Sequence, residues 1–207
     1  SVVSHVTLNP TWTVPPTIFR NDSLPAIRRD RGYLAKNRLR VLDARSGREL
    51  SPASVNWASP GNILLRQDAG PGNALGRLVI RFPNDYAIYL HDTPHQGHFS
   101  ASQRAFSSGC IRVENIAQLV VLLMDDAAKW SAAGLEQALS DGKTRNVNLS
   151  KRVPILIAYW TVDIGADGYV SFKPDVYGQD AGILKALDAP RRAQPAANVD
   201  PALANAG

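Results

Sequence analysis

The chain has 207 residues, 44% hydrophobic and 20% charged, with 15 Gly, 14 Pro and one Cys. That length and composition permit one sizeable core, and they exclude both a largely disordered chain and an internal disulfide framework, because a lone thiol has no partner. The formal net charge of +5 is concentrated in residues 20–49, which hold nine basic against four acidic residues while the remainder balances at 14 against 14; such a segment fits either an anionic partner or a solvated basic face.

Val2, Val6 and Leu8 predict an opening strand, and Pro10, Pro15 and Pro16 force an extended path through Trp12. The start at Ser1, with neither initiator Met nor signal sequence, reads as a piece of something longer. Residues 19–57 differ from their surroundings. Asp22 or Ser23 is placed to cap a short helix with Pro25 in its first turn, and Gly32, Ser46-Gly47 and Ser51-Pro52 break the rest of the segment into small pieces. The expectation is an inserted, mobile, basic subdomain. Residues 62–67, 76–82 and 86–91 then predict three strands of a β-meander, separated by turn residues at 70–73 and 83–85. In the third strand Tyr89 and His91 share a face, since side chains alternate.

Ile116, Leu119, Val120, Leu123, Met124 and Ala127 recur at helical spacing and predict a helix over 115–129, with Asn115 or Glu114 at its start. A second helix is expected from the Ser131 cap to Asp141, stopped by Gly142. Residues 153–164 predict a long apolar strand, and Gly165-Ala166-Asp167-Gly168 turns it into a hairpin with 169–173. From about Ala189 the chain has no core pattern and reads as a tail. The longest apolar runs, 119–124 and 155–160, are too short to span a membrane.

The chemistry centres on Cys110, which follows Ser107-Ser108-Gly109 and precedes Ile111-Arg112, and on His91, 19 residues earlier. A thiol is only a few per cent thiolate at neutral pH, so a proton acceptor matters, and His91 is the natural one. Gly109 has no Cβ to obstruct a substrate carbonyl, and N–H groups around Cys110 suit an oxyanion hole. Arg112 would share the Cys110 face of a strand and suits a substrate carboxylate or the thiolate itself.

Tyr89-Leu90-His91-Asp92-Thr93 followed by Ser107-Ser108-Gly109-Cys110-Ile111-Arg112-Val113 resembles the signature of the L,D-transpeptidase catalytic domain. Asn9-Pro10-Thr11-Trp12-Thr13-Val14-Pro15-Pro16 and Ala69-Gly70-Pro71-Gly72-Asn73-Ala74-Leu75-Gly76 extend the likeness to the large periplasmic members with an inserted lid. One departure is Ser108, where many members carry histidine. The resemblance implies a mainly β fold with helices: a β-sheet catalytic domain over 1–18 and 58–180, a small α-rich lid over 19–57, and a C-terminal helix and flexible tail over 181–207.

The same resemblance makes Cys110 the nucleophile, His91 the base, a main-chain carbonyl near Asp92 the third member, and Gly109 and Cys110 the oxyanion donors. Trp12, Tyr89, Asp92, Ser107, Ser108 and Arg112 become pocket residues. The implied substrates are peptidoglycan tetrapeptide stems as donor and acceptor, the implied reaction a diaminopimelate–diaminopimelate crosslink with loss of D-alanine, and the implied location the periplasm. Carbapenem β-lactams are expected covalent inhibitors, and no metal or organic cofactor is required. A carboxypeptidase using water, or a non-catalytic peptidoglycan-binding domain, would share much of this pattern. A zinc site on His91, His95, His98 and Cys110 is disfavoured because Pro94 and Gly97 interrupt a helix there. A nucleic-acid module is disfavoured because residues 20–49 interleave only Tyr33 among their basic side chains.

Overall fold

Strand β1 (Val2–Leu8) ends in three consecutive buried residues, Val6, Thr7 and Leu8, because it lies at the interior of a sheet with neighbours on both edges. The computed structural model describes residues 1–107 and 109–189. In it β1 pairs antiparallel with β6 (Leu78–Arg81) on one side and β9 (Arg145–Pro154) on the other. β6 pairs antiparallel with β7 (Leu90–His91), which runs parallel to β8 (Ile111–Arg112), giving the order β8-β7-β6-β1-β9. Helices α4 (Ile116–Met124) and α5 (Ala132–Leu139) close this sheet with Ile116, Val120, Met124, Leu135 and Leu139 set against Val6, Leu8, Leu78 and Ile80.

Ser131 caps α5 through a bond from Gly134 N–H to its Oγ, as the sequence predicts. The start of α4 differs from expectation. Asn115 occupies the N-cap in the left-handed region, φ +54°, and its side chain makes no cap bond, so the helix is held by its apolar stripe on the sheet.

A second sheet, ordered β2-β5-β3-β4, comprises β2 (Trp12–Thr13), β3 (Leu39–Asp43), β4 (Glu49–Leu50) and β5 (Ile63–Gln67). Here the expected three-strand meander is corrected. Residues 62–67 do form a strand, but it pairs with β2 and β3, not with β6. The short helices α1 (Pro16–Ile18), α2 (Leu24–Arg29) and α3 (Tyr33–Lys36) accompany this sheet, with a π-helical turn over Phe19–Ser23 in place of a capped start at Asp22 or Ser23. Val14, Ile27, Leu34, Leu39, Val41, Trp57 and Leu65 form a core of their own. Part of the segment 19–57 thus belongs to a sheet, whose core also takes residues on both sides of it.

Trp57 anchors this second core. It is 1% exposed, its indole N–H donates to the Pro52 carbonyl at 2.9 Å, and the Trp57 carbonyl accepts from Arg28 Nε at 2.7 Å. Trp57→Ala is expected to cost about 3–5 kcal/mol through lost burial and an unfilled cavity. Urea unfolding would measure it; a loss under about 1 kcal/mol would mean that the insert contributes little to the cooperative fold.

Contacts divide the chain into a unit over Ser1–Leu156 and a second beginning at Ile157. The single long strand expected over 153–164 is thus divided: β9 ends at Pro154, and β10 (Val162–Ile164) pairs with β11 (Val170–Phe172) in the second unit. That hairpin turns at 165–168 as predicted, and α6 (Asp180–Asp188) comes after it, with Thr161 Oγ1 donating to Asp180 Oδ1 at 2.8 Å. The tail from 190 lies outside the described residues. No helix among the described residues is long and apolar enough to cross a membrane.

Candidate active site

A parallel strand pair cannot be joined by a tight turn, and the excursion between β7 and β8 returns the chain so that Leu90 faces Ile111 and His91 faces Arg112. Ile111 N–H donates to the Tyr89 carbonyl at 3.1 Å and Val113 N–H to the His91 carbonyl at 2.9 Å. This register sets Cys110 one step back along β8, at the level of Tyr89 and diagonal to His91.

His91 is 4% exposed. Its Nδ1–H donates to the Asp92 carbonyl at 2.5 Å, so Nε2 is the nitrogen left with a lone pair. Burial holds its pKa below the ordinary histidine value, the bond to Asp92 opposes that, and the nearby Arg112 guanidinium lowers it further. The Cys110 thiol is half-buried and directs its S–H at the Ala87 carbonyl, 3.8 Å away. A proton transfer to His91 thus requires the thiol to leave that carbonyl.

Tyr89 packs edge-on against His91, with ring centroids 5.9 Å apart, and the Arg81 guanidinium lies 4.6 Å from its ring centroid. Burial, reinforced by the Cys110 sulfur beside it and opposed by Arg81, pushes the Tyr89 hydroxyl up to about 12, so it remains a neutral donor. Arg81 is absent from the sequence-derived set. Its signal was the β6–β7 register, in which Val79 opposes His91 and Ile80 opposes Leu90, so that Arg81 comes next, opposite Tyr89.

Hydrogen bonds within the fold already engage several of the expected site residues. Gly109 adopts φ +143°, in keeping with a residue that has no Cβ, but its N–H donates to Ser107 Oγ at 3.2 Å. Ser107 Oγ in turn donates to the Cys110 carbonyl at 2.5 Å. Ser107 therefore ties the loop together, and one of the two amides expected to face an oxyanion is already engaged. Among the described residues nothing accepts the Cys110 N–H. Arg112 keeps a buried Nε with no partner among the described residues, an unused donor next to His91. Ser108 lies outside the described residues.

The sequence places Asp92 in the substrate pocket, yet its Oδ2 accepts from Arg77 N–H and its Oδ1 from Thr93 N–H, both at 2.8 Å. Its carboxylate serves the fold at this point. Trp12 is paired with Gln67 in β2 and packs on the second core, so the structure groups it with the insert. The loop histidines His95 and His98 stack on each other, centroids 5.5 Å apart, and His98 on Phe106 at 4.7 Å. No three His, Cys, Asp or Glu side chains among the described residues converge as a metal-binding group.

The basic excess of residues 20–49 is partly structural. Arg28 holds the Trp57 and Ala58 carbonyls, Lys36 pairs with Asp30, Arg40 pairs with Glu49 and Asp68, and Arg38 donates to the Pro71 carbonyl. Arg20, Arg29, Arg31, Arg45 and Arg48 have no side-chain hydrogen bond or ion pair among the described residues, Arg31 lying over the Trp57 ring, which leaves these five as the basic side chains available to an anion.

Comparison with known proteins adds two findings. The YkuD family, described as the L,D-transpeptidase catalytic domain, matches residues 1–135. A Haemophilus influenzae (strain ATCC 51907 / DSM 11121 / KW20 / Rd) protein named "Putative L,D-transpeptidase" is 36% identical over 186 residues, covering 88% of this chain and 37% of that protein. The chain thus spans little more than a third of that relative's length.

Proposed function

This chain belongs to the L,D-transpeptidase catalytic-domain family, and we propose that it crosslinks peptidoglycan stem peptides through a thioester on Cys110, in the periplasm. The observation that carries this reading is the parallel β7–β8 pair. It sets the single cysteine next to a strand whose histidine is buried and held in the Nδ1–H tautomer.

In the first half-reaction His91 Nε2 takes the thiol proton and the sulfur attacks the carbonyl at the L-centre of diaminopimelate in a tetrapeptide donor. The Cys110 N–H and the neutral Tyr89 hydroxyl are the donors suited to the developing oxyanion. The C–N bond to D-alanine then breaks, its amine leaving with the proton from His91, and a thioester remains. In the second half the side-chain amine of an acceptor diaminopimelate attacks the thioester and gives its proton to His91. The thiolate departs and recovers that proton. No step calls for a metal or organic cofactor.

Arg112, with its unsatisfied Nε, is suited to a substrate carboxylate. The unpaired arginines of the insert would add long-range attraction for the several carboxylates of a stem peptide. Carbapenems, which present an acylating carbonyl to the same sulfur, are expected to form a covalent adduct with Cys110.

Incubating the chain with disaccharide-tetrapeptide and tracking products by mass spectrometry tests the reading. Crosslinked dimers with loss of D-alanine are the expected result. Tripeptide without dimers would make water the acceptor and the protein a carboxypeptidase, and no turnover by a folded chain would leave a binding role.

A further inference from the structure

The bonds around Asp92 converge on one peptide group. Asp92 N–H donates to the Leu78 carbonyl at 2.9 Å, and its Oδ2 accepts from Arg77 N–H at 2.8 Å, so the residue is pinned to the start of β6 by both backbone and side chain. Its Oδ1 accepts from Thr93 N–H at 2.8 Å. The Thr93 N–H and the Asp92 C=O belong to the same planar unit, so fixing the direction of one fixes the other. That carbonyl receives His91 Nδ1–H.

Gly76 completes the arrangement. It lies at φ +62°, and a Cβ there would overlap the Asp92 carboxylate. The site thus needs a residue without a side chain, both for its backbone and for the space that the carboxylate fills.

We infer that the Asp92 side chain is a positioning residue for His91: its carboxylate, admitted by Gly76, orients the 92–93 peptide so that the Asp92 carbonyl holds the imidazole in the Nδ1–H tautomer with Nε2 as the basic nitrogen. The inference rests on reading His91 as the base. It assigns the carboxylate a task different from substrate binding, and it links the catalytic strand to β6 by a bond set that a pocket-lining role would leave free.

The charged and titratable groups around His91 are Arg112 and Cys110 from the β8 segment and the flanking Tyr89 and Asp92, while Arg77 contributes its backbone N–H to the Asp92 carboxylate. The Arg77 side chain is itself turned to Glu136 of α5, at 2.9 Å. Asp92→Asn removes the charge and one of the two acceptor oxygens, replacing it with an NH2 donor, whereas Gly76→Ala displaces the carboxylate and keeps its charge. The two therefore separate orientation from electrostatics.

The test uses the whole chain, 15N-labelled, with long-range 1H–15N NMR of the His91 ring across a pH titration, for wild type, Asp92→Asn, Gly76→Ala and Arg77→Ala. The wild type should show the Nδ1–H tautomer, Asp92→Asn and Gly76→Ala a mixture with Nε2–H, and both variants a roughly tenfold slower carbapenem acylation of Cys110. Arg77→Ala, which retains the backbone N–H, should match wild type at His91 even where it lowers thermal stability. Wild-type tautomer and titration in a folded Gly76→Ala or Asp92→Asn protein would overturn the inference. A tautomer shift in a chain that forms no adduct even as wild type would sink the transpeptidase reading and leave the positioning role standing.

Discussion

Cys110→Ala is expected to abolish both adduct formation and crosslinking, by at least about 1,000-fold, equivalent to about 4 kcal/mol of activation free energy. The proposed reaction divides one amide exchange into two acyl transfers through sulfur, and no other thiol exists in the chain to replace it. Cys110→Ser would not rescue activity, because a hydroxyl attacks poorly without far stronger deprotonation than a thiol needs. The fold should survive. The sulfur is half-buried and its bond is a weak S–H donation to Ala87 at 3.8 Å, so the stability change should stay below about 1 kcal/mol. Intact-mass measurement after carbapenem exposure, with urea unfolding as control, separates the two effects. An adduct on a folded Cys110→Ala chain would place the nucleophile elsewhere and remove the basis of the mechanism.

That expectation was legible in the sequence through the resemblance of the His91 and Cys110 segments to the L,D-transpeptidase signature, with a spacing that lets the two segments lie side by side. The β7–β8 pairing sets those segments in parallel register. The α4 stripe, the Ser131 cap and the turn at 165–168 were legible because each is decided within a few residues.

Partner choice was not. The apolar pattern of residues 63–67 announces a strand, but nothing in its alternation says whether β3 or β6 will pair with it. Sheet assignment is decided by which core each face can join, and Leu65 finds the second one. The stretch 86–89 failed as a strand for a backbone reason: Ala87 sits at φ +53°, and Asn84 accepts from the Tyr86 and Ile88 N–H groups while donating to the Phe82 and Ile88 carbonyls. Side-chain bonds of this kind replace a ladder and leave no periodic trace.

The site shows the same division. The identities of Cys110 and His91 are set by chemistry that few residues can perform, whereas the work of Asp92 depends on Arg77 and Gly76 coming close from another strand. A carboxylate beside the proposed base reads as a pocket residue until the N–H groups that donate to it are counted. Ser107 is a similar case. Its hydroxyl is engaged by the Gly109 N–H and the Cys110 carbonyl, so its contribution is to loop shape ahead of any substrate contact.

His91→Gln should cost roughly 100- to 10,000-fold in acylation, the usual contribution of a positioned general base, and the wild-type pH profile should carry its signature. Burial is the leading cause of the lowered His91 pKa, with Arg112 adding to it and the Asp92 bond resisting. The neutral base is therefore retained to a pH below the ordinary histidine value of 6.5, and the acid limb of acylation should fall below 6.5. Removing the guanidinium in Arg112→Ala should move that limb upward.

Stability has its own sign. Because the folded pKa is the lower one, the unfolded chain binds a proton first as pH falls. The contribution of neutral His91 is thus complete above 6.5 and is lost as pH drops from there through the folded pKa. His5 is shifted in the same direction, by burial and then Arg81, so only the difference between wild type and His91→Gln isolates the base. Urea midpoints of the two proteins should converge or cross as pH falls below the ordinary histidine value. A constant difference across that range, with an acid limb of acylation at or above it, would mean that His91 titrates as an exposed imidazole and that its burial has no part in setting the base.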